Sequence, residues 1–572
     1  MALFAGCRAT IPINQFLDGP SMNPESCLCQ YRPMGIAMRQ RPDLDAVIVG
    51  AGFAGLYMLH ALRRAGFKAR VFDTAPEIGG TWYWNSYPGC RCDIESVQYS
   101  FQFDEELQQE WTWSERYASQ PELLAYIGHV ADRFDLRKDI QLKTRVEAAQ
   151  FDVTKDQWSI TTTGPGVQET LTARHLILGV GCLSTIEMPE FPEAELFQGE
   201  LIHTARWPQA DVALDGKRVG VIGTGSSAIQ SIPLIAQQAE HVSVFQRTPN
   251  YVVPAQNRPI QPDEAARVKA TYSELRAAAW KSLSAFEFER NPGSVFDMNE
   301  AERAANFEKF WDIGGLPFFG SFGDLLTNKE ANEEVIEWWK GKVREIVHDP
   351  EVADLLIPKG DIFGGKRLCA GTNYFETYNR DNVSLVDVSG LGIERFTETG
   401  LIAAGHEYDL DVVVCATGFD AMTGSVVRMD ITGIDGMTIA DKWADGPHNY
   451  LGIGVAGFPN LFNMQGPGSP SVFATMVTGI EHQGDWITDC ITHMSDGGCT
   501  RIDTTADAET TWGERVAQVA EPSLRSSCDS WYIGSNIEGK PRVFMPWIGG
   551  FPAYVESCDE VAENDYRGFV MS

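Results

Sequence analysis

The sequence predicts an α/β fold, because two distant glycine-rich turns each follow a short apolar run and open a helical pattern. The turns span residues 50–55 and 223–228, and the runs span 45–49 and 218–222. Such turns let the backbone approach a pyrophosphate, whose charge then lies at a helix N-terminus. We therefore expect two Rossmann-like dinucleotide-binding domains and electron transfer between their ligands. The expected cofactor-binding residues are Gly50, Gly52, Gly55, Gly223, Gly225, Ser226 and Ser227.

The residue that ends the second strand pattern indicates the first ligand. An expected helix over 54–65 leads into a strand pattern over 69–73, which ends at Asp73, 23 positions after Gly50. A carboxylate there accepts hydrogen bonds from a ribose 2′-hydroxyl and repels a 2′-phosphate. The first site is therefore predicted to take FAD or NAD.

The second turn leads to a different pair of residues. The apolar run 241–245 is followed by Arg247 and Thr248, and no acidic residue stands at the expected place. A guanidinium and a hydroxyl suit a 2′-phosphate, so this site is predicted to take NADP. The alternative is that Asp73 and Arg247 are solvated strand ends.

Composition limits the partners and the compartment. The net charge of −32, from 46 basic and 78 acidic side chains, disfavours binding to nucleic acid or to an anionic membrane. The 12 cysteines include two C-x-C pairs, at Cys27/Cys29 and Cys90/Cys92, but no C-x-x-C. We expect reduced thiols in a cytoplasmic protein, no metal site and no transmembrane helix.

The chain length of 572 residues predicts two or three domains. Residues 1–42 read as an N-terminal extension, and 43–182 as the first part of the first nucleotide domain. The second nucleotide domain is predicted at 183–414, with a helical subdomain at about 255–360. The segment 415–572 is expected to complete the first domain and to supply C-terminal active-site loops.

The helical subdomain contains a pattern typical of a helix start. Residues Thr327 to Glu330 fit a capping box, which predicts a helix that carries Val335, Trp338 and Trp339. A subdomain of this kind is more often scaffold or cleft wall than catalyst.

A linker motif lies immediately before the second turn. It fits the pattern F-x-G-x-x-x-H-x-x-x-W-P, in which every position shown by a letter is matched, and it resembles the fingerprint of type I Baeyer–Villiger monooxygenases. The matching residues are Phe197, Gly199, His203, Trp207 and Pro208.

Five further stretches resemble the same family, and three of them resemble its cyclohexanone monooxygenase branch in particular. The resemblance covers about 43–572 and departs at Asp73, where relatives usually carry Glu, and at Cys90, where they carry Ala. The stretches lie at 79–84, 87–96, 366–369 with 374–380, 416–420 and 530–536.

The resemblance implies an activity and two cofactors. The first site would hold FAD and the second NADPH, and O₂ would react with reduced flavin to give a C4a-peroxyflavin. One oxygen atom would enter next to the carbonyl of a cyclic or aliphatic ketone, giving a lactone or an ester. The natural ketone and the oligomeric state stay open, and a monomer is compatible with the sequence.

The resemblance also implies roles for individual residues. Arg367 would be the fixed catalytic cation, and Asp93 would orient it. Lys366 would bind the 2′-phosphate with Arg247 and Thr248. Further cofactor contacts are expected from Thr81, Trp82, Asp93 and Trp531.

Each of these residues also has a simpler interpretation. Lys366 and Arg367 could be a solvated basic pair, and Asp93 could cap a helix that begins at Ile94. His203 could be a hydrogen-bonded core histidine; we expect it to fix the linker rather than to transfer protons. Trp531 could be core or active-site wall.

Three other functions share part of the pattern. A flavin-dependent N- or S-monooxygenase has both turns, but its linker usually lacks the Trp-Pro ending. A disulfide reductase needs a redox-active cysteine pair, and a flavoprotein that only binds NADPH does not need Arg367 and Asp93.

Overall fold

The computed structural model describes residues 42–210 and 212–572, so the predicted extension over 1–42 lies outside it except for its last residue. The described chain combines parallel sheets with helices, and the predicted α/β class is confirmed. The strands are β1 (Leu44–Val49), β2 (Ala69–Phe72), β3 (Ile140–Gln141), β4 (Arg145–Asp152), β5 (Gln157–Gly164), β6 (Val167–Leu178), β7 (Glu200–His203), β8 (Arg218–Ile222), β9 (His241–Gln246), β10 (Val252–Pro254), β11 (Cys369–Gly371), β12 (Val383–Asp387), β13 (Ile393–Thr397), β14 (Gly400–Ala403), β15 (His406–Asp409), β16 (Val412–Cys415), β17 (Asp430–Thr432), β18 (Leu461–Asn463), β19 (Ile502–Thr504) and β20 (Phe569–Met571).

The helices pack against the sheets and form a separate group between β10 and β11. They are α1 (Phe53–Arg64), α2 (Thr81–Trp84), α3 (Glu105–Glu110), α4 (Gln120–Arg133), α5 (Ser226–Gln238), α6 (Pro262–Ala270), α7 (Tyr272–Lys281), α8 (Glu300–Ile313), α9 (Lys329–Ile346), α10 (Pro350–Leu355), α11 (Tyr374–Thr377), α12 (Gly424–Val427), α13 (Ile439–Lys442), α14 (Met476–Asp496), α15 (Ala506–Ala520) and α16 (Phe551–Glu563).

The first sheet has the strand order β17-β4-β5-β6-β1-β2-β3, and β18 pairs with β6. Strands β1, β2, β3, β6 and β18 run parallel, so the turn after β1 and the loops after β6 and β18 lie at one edge. Beyond β6, the sheet continues sideways through the antiparallel pairs β5/β6 and β4/β5. Ligands bind at such carboxyl-end edges of parallel sheets.

The second sheet is entirely parallel, with the order β12-β9-β8-β16-β7. Its strands come from 200–246 and 383–415, between the parts of the chain that build the first sheet. The second nucleotide unit is thus inserted into the first. We keep the predicted boundaries at 43–182, 183–414 and 415–572 as our proposed division into domains.

Helices α6 to α10 occupy most of the predicted helical subdomain. Helix α9 carries Val335 and Trp339, both fully buried. The capping box at Thr327 is wrong: the N-cap is Asn328, whose Oδ1 accepts hydrogen bonds from the amides of Glu330 (3.0 Å) and Ala331 (3.3 Å). The Asn328 side chain therefore satisfies the Glu330 amide that the capping box assigned to Thr327.

The smaller sheets complete the architecture. Strands β13, β14 and β15 form an antiparallel sheet, β19 pairs with β20, and β10 pairs in parallel with β11. The β10/β11 pair matters for the site, because it brings the segment after Thr248 alongside the segment after Arg367.

Candidate active site

The first glycine turn is closed by the end of β6. Gly50 has φ +103°, and a Cβ on it would lie 2.5 Å from the Gly179 carbonyl oxygen. A Cβ on Gly55 would lie 1.8 Å from the Gly50 carbonyl oxygen. Any side chain at either position would displace backbone. The glycines therefore fix a tight turn that opens directly onto α1, whose N-terminus has no capping side chain.

Asp73 faces this turn. One carboxylate oxygen accepts a hydrogen bond from the Ala51 amide (2.6 Å), and the other accepts one from the Ala75 amide (2.8 Å). Each carboxylate oxygen has a second lone pair for a ribose hydroxyl. The shorter Asp arm thus reaches the turn without losing acceptor capacity.

The loop that contains Thr81 and Trp82 packs on the same turn. The Gly79 amide donates to the Ala51 carbonyl (2.9 Å), and a Cβ on Gly80 would lie 2.9 Å from the Gly52 Cα. Helix α2 begins at Thr81, which is exposed, whereas Trp82 is buried. The structure therefore brings Thr81 and Trp82 to the first nucleotide edge.

The second turn repeats this construction on the second sheet. Gly223 has φ +109°, and a Cβ on it would lie 2.6 Å from the Ala416 carbonyl oxygen at the end of β16. A Cβ on Gly225 would meet no described atom within 4 Å. Helix α5 begins at Ser226 without a capping side chain, so the amides of Ser226 and Ser227 remain available to an anion.

Two of the three expected phosphate-binding residues, Arg247 and Thr248, lie at the edge of this sheet, and no contact joins them to Lys366 among the described residues. Arg247 and Thr248 are exposed at the end of β9, and the Thr224 hydroxyl donates to the Thr248 carbonyl (2.7 Å). Lys366 donates to Asp361 (2.9 Å). A 2′-phosphate that binds Lys366 would therefore compete with Asp361.

Arg367 and Asp93 form a bidentate ion pair. Arg367 Nε lies 2.6 Å from one Asp93 oxygen and Nη2 lies 2.9 Å from the other, while Nη1 donates to the Val472 carbonyl (2.7 Å). Burial opposes the charge of Arg367, but the Asp93 carboxylate outweighs it and raises the pKa above its ordinary value. The guanidinium is a permanent cation with a fixed orientation. No helix begins at Ile94, so Asp93 is not a helix cap.

Arg367 lies on the wall of a cavity of about 510 Å³, a volume that accommodates a small-molecule ligand. Most of the wall is apolar, and it contains seven aromatic residues. The lining includes Phe286, Phe319, Phe322, Phe473, Tyr532 and Trp547.

His203 joins the linker to the second sheet. Its Nδ1 accepts a hydrogen bond from the Ala205 amide (3.0 Å), so the proton of the neutral ring is on Nε2. Nε2 lies 3.3 Å from the Thr417 hydroxyl, which donates to the Glu187 carbonyl (2.5 Å). Burial lowers the pKa of His203, which keeps the ring neutral. The residue is built into a structural chain and has no hydrogen bond to the described cavity wall.

The other fingerprint residues pack closely against neighbouring segments. A Cβ on Gly199 would lie 2.5 Å from the Asp411 carbonyl oxygen, and Phe197 packs edge-on against Phe396. Trp207 is buried, and its carbonyl accepts a hydrogen bond from the Ser86 hydroxyl (3.5 Å).

The end of the fingerprint also touches the stretch 79–84, which follows the first glycine turn. Arg206 lies 4.1 Å over the Trp84 ring, and Pro208 lines a groove beside α4. The motif therefore joins the second sheet to the loop that follows the first glycine turn.

Trp531 does not line the cavity that contains Arg367. It packs near Val472 and Cys182, while its neighbour Tyr532 lines the cavity. The sequence reasoning missed Tyr532, Phe473 and Arg525. Tyr532 lies in the 530–536 stretch but was given no role, and no local pattern indicated Phe473 or Arg525. The three residues reach the cavity from three separate 3-10 turns.

The residues present fit two dinucleotides. Each glycine turn would clash with its neighbouring strand if a side chain replaced its first glycine, and each leads to an uncapped helix N-terminus. At the first site, Gln465 Oε1 and Thr475 Oγ1 are buried without a partner among the described residues, on the segment after β18. Polar atoms of this kind at the carboxyl end of a sheet suit a polar ring system.

The chain is similar to known oxygenases along nearly its whole length. Residues 45–300 match the flavin-binding monooxygenase-like family. The chain is 41% identical to phenazine N-monooxygenase PhzNO1 of Lysobacter antibioticus, over 93% of this chain and 97% of that protein. It is 40% identical to acetone monooxygenase (methyl acetate-forming) of Gordonia sp. (strain TY-5), over 92% and 99%. It is 39% identical to cyclohexanone 1,2-monooxygenase of Acinetobacter sp, over 93% and 97%.

Solved structures agree with these relatives. Oxidized steroid monooxygenase bound to NADP superposes with a TM-score of 0.88 at 48% identity, covering 92% of this chain and 99% of that one. Closed cyclohexanone monooxygenase gives 0.89 at 42% identity, with the same coverage. The chain therefore belongs to the flavin-binding monooxygenases, in the Baeyer–Villiger group that includes cyclohexanone monooxygenase.

Proposed function

We propose that the protein inserts one oxygen atom of O₂ next to the carbonyl of a ketone, at the expense of NADPH. Ketone, O₂, NADPH and one proton give an ester or lactone, NADP⁺ and water, so atoms and electrons balance. The ketone is cyclic or aliphatic. This assignment follows the relatives named for acetone and cyclohexanone.

The observation that carries the proposal is the ion pair of Arg367 and Asp93 on the cavity wall. Of the five N–H groups of a guanidinium, two donate to Asp93 and one to Val472. Two N–H groups therefore remain for an oxygen atom that gains negative charge. A permanent, pre-oriented cation stabilises such charge without reorganisation.

Asp93 has a positioning role in this account. Its two bonds hold the guanidinium plane and prevent rotation about Cδ–Nε. A third hydrogen bond, from Nη1 to the Val472 carbonyl, holds the other side of the guanidinium. The remaining donors therefore keep one direction during the reaction.

FAD, when bound, would activate O₂, and NADPH would supply the hydride that reduces it. We propose that Gly50, Gly52, Gly55, Asp73, Thr81 and Trp82 hold FAD. Gly223, Gly225, Ser226, Ser227, Arg247, Thr248 and Lys366 would hold NADP, with Trp531 near its nicotinamide end.

His203 would act through the backbone and not through proton transfer. Its hydrogen bonds tie β7 to Thr417 and Glu187, and the fingerprint continues from there to the loop at Trp84. The linker therefore couples the two nucleotide units. This role agrees with the lowered pKa of the ring.

Products formed under ¹⁸O₂ test the proposal. Cyclohexanone, acetone and a bulky cyclic ketone are each incubated with purified protein, FAD and NADPH. We expect one labelled oxygen inside an ester or lactone, identified by mass. Labelled hydrogen peroxide as the sole oxygen product would contradict the assignment.

Oxygenation of a heteroaromatic nitrogen is a second candidate. The relative named as a phenazine N-monooxygenase is as similar to this chain as the relatives named for ketones. The aromatic cavity wall also suits a flat ring system. Phenazine belongs in the same panel, where a labelled N-oxide without any labelled ester would favour this candidate.

We further propose a cytoplasmic location. All nine described cysteines are free, and most are buried, which suits a reducing compartment. Among the described residues, no helix is long and apolar enough to span a membrane, and no group of three or more His, Cys, Asp or Glu could hold a metal.

A further inference from the structure

A second arginine lines the cavity that contains Arg367. Arg525 lies in a 3-10 turn, Leu524–Ser527, and its Nε donates to the Gly364 carbonyl (2.8 Å). Its guanidinium stacks between Phe473 (4.8 Å) and Phe319 (5.1 Å). The two rings and the carbonyl hold the cation against the wall, while its Nη groups make no hydrogen bond to the described residues.

The two cavity arginines differ in charge balance. Arg367 is neutralised by Asp93, whereas no described carboxylate lies within ion-pair distance of Arg525. Burial lowers the pKa of Arg525, Tyr532 opposes this, and the charge of Arg367 adds to it. The guanidinium nevertheless stays protonated, so the cavity carries one uncompensated positive charge.

A third arginine stands at the rim. Arg290 is exposed, lies 3.7 Å over the Phe288 ring, and has no ion-pair partner among the described residues. In a protein with a net charge of −32, two arginines without an ion-pair partner among the described residues make this apolar cavity more positive than most of the surface, although the nearby Glu287 partly offsets Arg290. An anion is therefore attracted to this cavity and repelled by most of the surface.

The apolar wall of the cavity affects how stable the charge of Arg525 is. The rings of Phe319 and Phe473 stabilise the Arg525 guanidinium in part, but burying this cation without a paired anion still costs free energy. Both arginines are anchored to neighbouring residues, Arg367 to the Val472 carbonyl and Arg525 to the Phe473 ring. A single ligand can therefore present its carbonyl to Arg367 and an anionic group to Arg525.

We propose that the preferred substrate is a ketone with an apolar skeleton and a carboxylate, and that Arg525 binds the carboxylate. This inference rests on the proposed ketone oxygenation. The cavity volume of about 510 Å³ suits a skeleton of one or a few rings with a short acidic arm.

Matched acid and ester substrates test this inference. The probe is 3-(2-oxocyclohexyl)propanoate, compared with its methyl ester, which has the same skeleton and no charge. We expect the acid to have the higher kcat/KM. The acid-to-ester ratio of kcat/KM should fall by about 10- to 100-fold in Arg525→Gln, the size of one charge-assisted hydrogen bond. Arg525→Lys should retain part of the preference.

A control variant and a binding measurement separate the effect of losing a charge in the cavity from the effect of losing a charge elsewhere on the protein. Arg542 lies on the same C-terminal segment, is exposed, and pairs weakly with Asp529 (3.9 Å), so Arg542→Gln removes the same charge away from the cavity. The acid-to-ester ratio should be unchanged in that variant. Calorimetry with 3-cyclohexylpropanoate, which has no ketone, should give weaker binding to Arg525→Gln than to wild type.

The outcomes distinguish the two proposals. An acid-to-ester ratio near one in wild type, or one that is equal in wild type and Arg525→Gln, would overturn the carboxylate site. An Arg525→Gln variant that loses affinity for NADPH and keeps its ratio would assign Arg525 to the cofactor and also overturn it. If neither acid nor ester gains oxygen while phenazine or no compound does, the ketone oxygenation itself fails.

Discussion

We propose that the chemistry depends on Arg367, because its guanidinium does not lose its proton at working pH and its direction is fixed by Asp93. The structure gives both features at once, through two carboxylate bonds and one carbonyl bond. Lysine offers neither the second bond nor the planar geometry.

We expect Arg367→Ala to bind FAD but to form no ester. The side-chain hydrogen bonds of Arg367 go to Asp93 and Val472 and not to the first glycine turn, so flavin absorbance should persist, whereas NADPH consumption should yield hydrogen peroxide. Arg367→Lys should lose at least about 100-fold in ester formation, in the range seen when one stabilising donor is removed. Ester formation at the wild-type rate in either variant would contradict the role of this residue.

Arg247 should determine the preference for NADPH over NADH. Its exposed guanidinium at the end of β9 has no ion-pair partner among the described residues and is available to a 2′-phosphate. We expect Arg247→Ala to raise the KM for NADPH by about 10- to 100-fold and to leave the KM for NADH nearly unchanged. Equal losses for both nucleotides would remove Arg247 from the phosphate site.

At the level of elements, the two nucleotide units use the same contact. In each, the first glycine of the turn packs against a carbonyl at the end of the adjacent parallel strand, Gly179 after β6 or Ala416 after β16. The amides of these residues also bond to the ends of β1 and β8. The turns are thus held by the sheets before any ligand binds.

The second turn offers a matched pair of variants. Gly223→Ala forces a side chain into φ +109° and against the Ala416 carbonyl, so it should lower the free energy of unfolding by about 1–3 kcal/mol. Gly225→Ala meets no described atom, so its melting temperature should match wild type while NADPH binds more weakly. A Gly225→Ala protein with wild-type NADPH affinity would contradict the phosphate approach at this glycine.

Helix α14 carries a buried carboxylate, Glu481, whose ionisation makes the stability of the fold depend on pH. One oxygen of Glu481 accepts hydrogen bonds from the amides of Gln102 (2.8 Å) and Phe103 (2.9 Å), and burial raises its pKa to about 7. The folded state therefore binds a proton that the unfolded state has released. Stability from this group is complete below the ordinary pKa and is lost as pH rises to about 7.

Glu481→Gln should remove that loss, because the amide keeps an acceptor oxygen and cannot ionise. Its unfolding free energy relative to wild type should increase between about pH 4.5 and pH 7, by up to about 3 kcal/mol, and then stay constant. Chemical denaturation at several pH values measures this. Exposed Glu514→Gln is the control, and a pH-independent difference for Glu481→Gln would refute the account.

At the scale of the whole molecule, the sequence predicted the parts that repeat a local rule. The helix expected over 54–65 is observed at Phe53–Arg64, and the strand expected over 69–73 at Ala69–Phe72. Such elements can be predicted because glycine turns and apolar runs depend only on residues that are close together in the sequence. The pairing of Arg367 with Asp93 joins positions 274 residues apart and was reached only through the family resemblance.

The cavity wall could not be predicted in this way. Tyr532, Phe473 and Arg525 come from separate segments without periodicity, and their proximity depends on how the C-terminal loops pack. Trp531, the residue that the family motif suggested, points to the adjacent cluster with Cys182 and Val472 instead. Thr327 was chosen as a cap by pattern, whereas the neighbouring Asn328 has the better geometry.

His203 is the residue through which the two units should communicate. His203→Ala breaks the bonds to Ala205 and Thr417 without touching either glycine turn. We expect FAD and NADPH still to bind, but a larger share of the NADPH consumed should end as hydrogen peroxide. His203→Gln, which can restore one of the bonds, should recover part of the coupling; equal coupling in Ala, Gln and wild type would exclude this role.

The yield of oxygenated product per NADPH consumed tests the central claim most directly. It is measured by quantifying NADPH loss, hydrogen peroxide and ester in one reaction of the wild-type protein with a ketone. Our account predicts a yield near one ester per NADPH and little peroxide. A yield of zero, with all of the NADPH recovered as hydrogen peroxide for every ketone offered, would contradict it.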